Sequence, residues 1–158
     1  MTAVRSVVRR HLAIVLVLTL SVPMFSQPAA AADSRRAGEI RSHMEYLINR
    51  ARARRGLRRL RVNSKTQYWA RDHALRMKRR RAVFHDPNLR NEIPRGCQAW
   101  AENVARTTAS NAARSAMTMF MNSSSHRSNI LSRRMTHMGI GVAKGGNYTY
   151  IVQRFIDR

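Results

Sequence analysis

The chain has 158 residues, with 30 Lys or Arg against 8 Asp or Glu and a formal net charge of +22. That length suits one domain and leaves little room for a second. A single cysteine, Cys97, excludes an internal disulfide, while the charge directs the protein to anionic polymers, lipid headgroups or nucleic acid. Biased arginine usage on a solvated surface would give the same composition, so charge alone names no partner.

The first 32 residues have the layout of a removable secretory leader. Arg5, Arg9 and Arg10 make a positive start, Leu12 to Leu20 an apolar run, and Ala29 to Ala32 a small-residue cleavage site. Ser21 and Pro23 interrupt the apolar run short of the ~20 residues a spanning helix needs, so export with cleavage after Ala32 is expected, with no transmembrane span afterwards. Arg9-Arg10 is a weak twin-arginine match, which leaves the export route open. Removing the three leader arginines takes the net charge from +22 to +19. Residues 33–41 then read as a short polar lead and 42–158 as the domain.

Ala37, Ile40, Met44, Leu47, Ile48 and Ala51 recur at helical spacing, predicting an amphipathic helix that stops near Gly56. Arg50, Arg52, Arg54 and Arg55 fall in its last turn, where cations suit the carbonyl end of the dipole. The arginine run from Arg50 to Arg61 has no interleaved aromatic ring, so it is not a single-strand nucleic-acid platform, and no specific nucleic acid is expected. Asn63 or Ser64 caps a second helix to about Arg80, with Thr66, Ala70, His73, Ala74 and Met77 on its buried face. There His73 reads as a hydrogen-bonded packing residue, and Arg76 to Arg81 as a solvated helix end.

Pro87, Asn88, Asn91 and Pro94 make residues 82–95 irregular, and Cys97 reads as a small buried apolar residue, with an intermolecular bridge left open. Thr107 to Ser110 form a loop able to cap a third helix with Ala113, Ala116, Met117 and Phe120 inside. Asn122 to Leu131 then places His126 among serines at a helix junction. Met135 to Ala143 and Tyr148 to Ile156, joined by a Gly-rich turn, predict an antiparallel hairpin. Helices first and a hairpin last give an α+β class.

Six segments occur in one order: Asn49-x-x-Arg52 with Gly56-Leu57-x-x-Leu60; Ala70-x-x-His73-Ala74-x-x-Met77 before Phe84-His85; Ala101-Glu102-Asn103-Val104-Ala105; Phe120 to Leu131; Gly139-Ile140-Gly141-Val142-Ala143; and Tyr150 to Phe155. Together they resemble the bacterial branch of the CAP superfamily (SCP domain; cysteine-rich secretory protein, antigen 5, pathogenesis-related 1) over about residues 42–157. The resemblance implies an α-β-α sandwich with a central antiparallel sheet and a cleft lined by His85, Glu102 and His126. The second glutamate of eukaryotic relatives has no counterpart between Phe120 and His126. Ala101 replaces the usual glycine, Ser124-Ser125 the usual Pro-Gly, and Asp86 a threonine or serine, adding one carboxylate near the cleft.

Two imidazoles and a carboxylate suit Zn2+ or another divalent cation with one open position, or a small ligand. The same residues could act as general acid and base, making His85, Glu102 and His126 the catalytic candidates as well. Ser123 or Ser125 as nucleophile is weaker, since serines so close to His126 read as caps. A third reading has Glu102 and the histidines satisfying buried backbone and one another. The expectation is a secreted or envelope-associated monomer with a ligand-binding cleft. The alternatives are a hydrolase and an interaction protein with an inert cleft.

Overall fold

The computed structural model describes residues 29–158, so the leader up to residue 28 lies outside the described residues. Helix α1 (Ala29–Ala53) leads to a short β1 (Arg61–Val62), α2 (Ser64–Arg80) and a single turn α3 (Leu89–Glu92). Then follow β2 (Trp100–Thr107), α4 (Ala112–Asn122), α5 (Ser124–Leu131), β3 (His137–Gly145) and β4 (Tyr148–Ile156).

Helix α1 starts earlier than its apolar spacing predicts. Residues 33–41 are helical, not an irregular lead, although residues 30–36 stay exposed. Its inner stripe of Met44, Leu47 and Ile48 enters the core as expected, and Gly56 takes the left-handed φ of 63° beyond its end. Arg52 departs from its predicted place among solvated last-turn cations. Met44, Ile48 and Arg52 fall four residues apart on one stripe, which carries the guanidinium inward to 1% exposure. There it donates to the carbonyls of Arg58 (2.8 Å), Ile130 (2.8 Å), Ser132 (2.9 Å) and Met135 (3.4 Å). Asn49 adds a reciprocal pair with Leu60, N–H to Oδ1 at 2.8 Å and Nδ2 to carbonyl at 3.1 Å.

Helix α2 follows its pattern: Asn63 accepts from Thr66 N–H at 2.9 Å as N-cap, and Thr66, Ala70, His73, Ala74 and Met77 are buried. For α4 the cap is Asn111, accepting from Arg114 N–H at 3.2 Å, one residue past the expected capping loop. Gly146 and Asn147 join β3 and β4, with Gly146 at φ 58°.

The sheet order is β1-β3-β4-β2; β2, β3 and β4 pair antiparallel, and two-residue β1 adds a parallel edge. Alternation assigns the two faces. Met138, Ile140, Val142, Ile151 and Phe155 pack with α1 and α4, while Ala143, Tyr150 and Val152 pack with Ala70, Ala74 and Met77 of α2. On the α2 face β3 carries glycines because the helix lies directly on the strand. A Cβ on Gly141 would sit 2.0 Å from Ala70 O, and one on Gly139 2.4 Å from Gln67 N. The result is the α-β-α sandwich that the ordered motifs imply.

Candidate functional site

Strand β2 places Glu102 and Asn103 on opposite faces of the sheet, and the site grows from that alternation. Glu102 points to the α2 face. Its Oε1 accepts from Asp86 N–H at 2.9 Å and meets His85 Nδ1 at 3.0 Å; its Oε2 accepts from Arg154 Nε at 3.0 Å. With a carboxylate opposite, His85 carries its proton on Nδ1, and Nε2 has no partner among the described residues. His85 is 64% exposed at its side chain, against 1% for Glu102.

Behind Glu102 lies a buried ionic cluster. Arg154 donates through one nitrogen to Glu92 Oε2 at 2.5 Å and through the other to Asp86 Oδ2, while Arg76 reaches Asp86 Oδ2 and Glu92 Oε1 (3.2 Å). Arg76 is therefore not part of a solvated helix end. Asp86, read from sequence as an extra cleft carboxylate, is turned inward with 0% side-chain exposure. Burial pushes Asp86 up, but the Asn88 N–H, Glu92 and the Arg154 guanidinium outweigh it and hold the carboxyl below its usual range. Burial pushes Glu92 up, against Arg154 and with help from Asp86. The pair thus divides the roles, with the charge favoured on Asp86 and the proton on Glu92. His73 lies beside it, Nε2 2.8 Å from Phe84 O and its ring edge-on to Phe84; burial holds its pKa down. It is the packing histidine its position predicts.

On the opposite face, Asn103 Nδ2 donates to His126 O at 3.1 Å and to Gln153 Oε1 at 2.9 Å, and Asn103 Oδ1 accepts from Asn129 Nδ2 at 2.8 Å. These bonds tie α5 to the β2 edge. His126 packs edge-on against Phe120, and burial, then the neighbouring His85, lowers its pKa. The two imidazoles thus approach over the β2 edge from different layers. Ser123 holds the N-cap position of α5 without a side-chain cap bond; its Oγ lies 3.2 Å from Ser125 Oγ, so the serines neither cap nor face a base.

The structure brings His85, Glu102 and His126 together, but not as three equivalent groups. Among the described residues no set of three or more His, Cys, Asp or Glu is placed to hold a metal ion. Both oxygens of Glu102 are already engaged, so the set does not fit a three-ligand centre. What fits is an imidazole pair, with Glu102 orienting His85 from behind as carboxylates orient metal-binding histidines.

Residues 45–155 match the family model described as CAP, cysteine-rich secretory protein family. The chain belongs to this family. A search of curated proteins gave no match. Among solved structures, an extracellular SCP-domain protein of Bacillus anthracis aligns at 25% identity and TM-score 0.74, over 84% of this chain and 45% of its own. A cysteine-rich secretory protein of Staphylococcus aureus aligns at 23% identity and TM-score 0.65, over 77% of this chain and 40% of its own. An outer surface protein of Borrelia burgdorferi aligns at 18% identity and TM-score 0.68, over 76% of this chain and 93% of its own. The CAP chain described here thus spans less than half of the first of these. The latter two likenesses bear on fold alone. The CAP assignment makes the α+β class a property of the family, and no helix among the described residues is long and apolar enough to cross a membrane.

Sequence reading missed Arg154, Arg76 and Glu92 as site residues. The signal for Arg154 was present: it continues the Tyr150, Val152 face of an otherwise apolar strand, where a lone cation demands buried partners.

Proposed function

We propose that this CAP domain is an exported binding module whose His85/His126 cleft takes a small ligand or a divalent cation. The observation that carries the reading is the His85–Glu102 pair. A buried carboxylate fixes Nδ1 at 3.0 Å and leaves the exposed ring's Nε2 pointing outward. The lowered pKa of His126 keeps the second imidazole neutral near pH 7, with a lone pair to offer. The leader pattern and the extracellular and outer-surface descriptions of the structural relatives support export. The +22 charge supports attraction to anionic envelope polymers or headgroups.

Calorimetric titration of zinc into the parent protein, His85→Ala and His126→Ala tests the cleft. Heat in the parent that both substitutions abolish is the expected result; no heat in the parent ends the cation version. Glu102→Gln should weaken binding about 10- to 100-fold, as loss of an orienting partner does. The burial of Glu102 favours one second reading, a structural cleft, under which all three substitutions change stability and no ligand is bound. It also weighs against hydrolysis, because a carboxyl that is 1% exposed is out of a substrate's reach.

A further inference from the structure

Two adjoining grooves on the α1 side of the molecule are walled by arginines. One, of about 850 Å3, lies where the α1–β1 connection meets the start of β3 and the C-terminus, and carries Arg58, Arg59, Arg61, Arg133, Arg158 and His137. The other, of about 440 Å3, lies between α1 and α4 and carries Arg50, Arg54, Arg55 and Arg114. They meet at the Arg55–Gly56 turn. None of these nine guanidinium groups has a carboxylate within 4.0 Å among the described residues.

Packing like charges this densely costs self-repulsion that nothing in the fold offsets. The field is felt locally: after burial, Arg61 and Arg158 are what push His137 down. The wall of the larger groove is also preorganised, because buried Arg52 ties the carbonyls of Arg58, Ile130, Ser132 and Met135 behind it. Arg50 and Arg54 are successive-turn neighbours about 5–6 Å apart on α1, so the cations form a track and not a single pocket.

The surroundings select the kind of anion. The apolar floor is withdrawn, with Leu60 at 3%, Met135 at 7%, Met117 at 7% and Leu47 at 8% exposure, so little is left for an acyl chain. No exposed large apolar side chain lines either groove to anchor a bilayer, and no Phe, Tyr or Trp is there to stack a base. Guanidinium forks match phosphate oxygens bidentately. We propose that the two grooves together bind a linear polyanion with repeated phosphate groups and no bases, laid across the turn at Gly56. This rests on the anion-directed part of the function proposed above.

The test uses the full chain and linear inorganic polyphosphate, titrated at several salt concentrations. Arg59→Glu/Arg133→Glu removes groove charge; Arg71→Glu/Arg79→Glu makes the same charge change on the exposed face of α2. The groove variant should bind about tenfold or more weakly and the control within about twofold of the parent, with log K falling linearly in log salt. Equal losses in both variants overturn the groove while leaving a general anion preference standing. No binding by the parent overturns both. Tighter binding to an oligothymidine of matched charge, or to vesicles one-third anionic phospholipid, overturns the occupant. Should the charge-reversed protein not fold by thermal melting, Arg54→Gln/Arg59→Gln carries the same comparison with a smaller expected loss.

Discussion

Arg154 and Glu102 are cross-strand partners on β4 and β2, Nε to Oε2 at 3.0 Å, with both side chains 1% exposed. The same guanidinium holds Asp86 and Glu92, so it joins the loop bearing His85 to the sheet bearing Glu102. Replacing Arg154 with Met leaves three buried carboxyl groups short of a counter-charge. Breaking a buried ionic group in this way costs about 3–5 kcal/mol. Arg154→Lys keeps the charge but cannot serve three carboxylates in one plane, so it should fall between parent and Met. Urea unfolding measures both; a loss below about 1 kcal/mol for the Met variant would contradict the account.

Acid should weaken the protein in two stages. His73 is buried with its pKa held below 6.5, so the unfolded chain binds the extra proton first. Its contribution is complete above 6.5 and is lost as pH falls through that value toward the folded pKa. Asp86, held below 3.8, gives stability that is present above 3.8 and lost on further acidification. Glu92 has the opposite sign: raised above 4.5, it contributes below that value and loses the contribution as pH rises through its folded pKa. Thermal melts should therefore show Tm falling between about pH 7.5 and 5.5. His73→Gln, which keeps a donor for Phe84 O, should flatten that step and leave the residual slope of His126 and His137, whose pKa values are also lowered.

What the chain discloses without its structure follows from range. The α2 face from Thr66 to Met77 is a local pattern of 3.6 period, and the α1 stripe and final hairpin are equally local. The cleft trio was legible through ordered motifs. The partners of Arg154 lie 52, 62 and 68 residues away, and no local pattern states that three separate segments close on one guanidinium. Arg52 was hidden differently. It stands in a run of arginines that look alike, and only its place on the Met44–Ile48 stripe marks it as the one turned inward. Asn49 and Arg52 belong to the family pattern for a physical reason: together they hold the α1–β1 connection against the α5–β3 connection.

Gly141→Ala tests how closely α2 rides the sheet. Its Cβ would meet Ala70 O at 2.0 Å, Ala70 C at 2.2 Å and Arg71 N at 2.6 Å, all backbone atoms that cannot rotate aside. The helix must lift, which opens the packing that positions His73 and Arg76. A loss of about 3 kcal/mol or more is expected by denaturant unfolding. Gly38→Ala is the control: its new Cβ finds only Arg41 Nη2 at 3.9 Å, and alanine is the better helix former by about 1 kcal/mol.

Arg52 supports the fold from inside, and its removal should be felt at the groove as well as in stability. Burial lowers its pKa from 12.5, yet its four carbonyl partners need a cationic donor in place. Arg52→Met fills much of the volume and leaves those carbonyls unpaired, at a cost of about 1–3 kcal/mol for each one that water cannot reach. Arg52→Lys supplies one ammonium, too compact to bridge Arg58 O on one side and Met135 O on the other, so it should rescue only part of the loss. Denaturant unfolding gives the stability. Hydrogen exchange gives the location: protection should drop first around residues 57–61 and 130–136, the two connections Arg52 joins, while the β3–β4 hairpin keeps its protection. Uniform loss of protection across the sheet would show instead that the guanidinium supports the whole core.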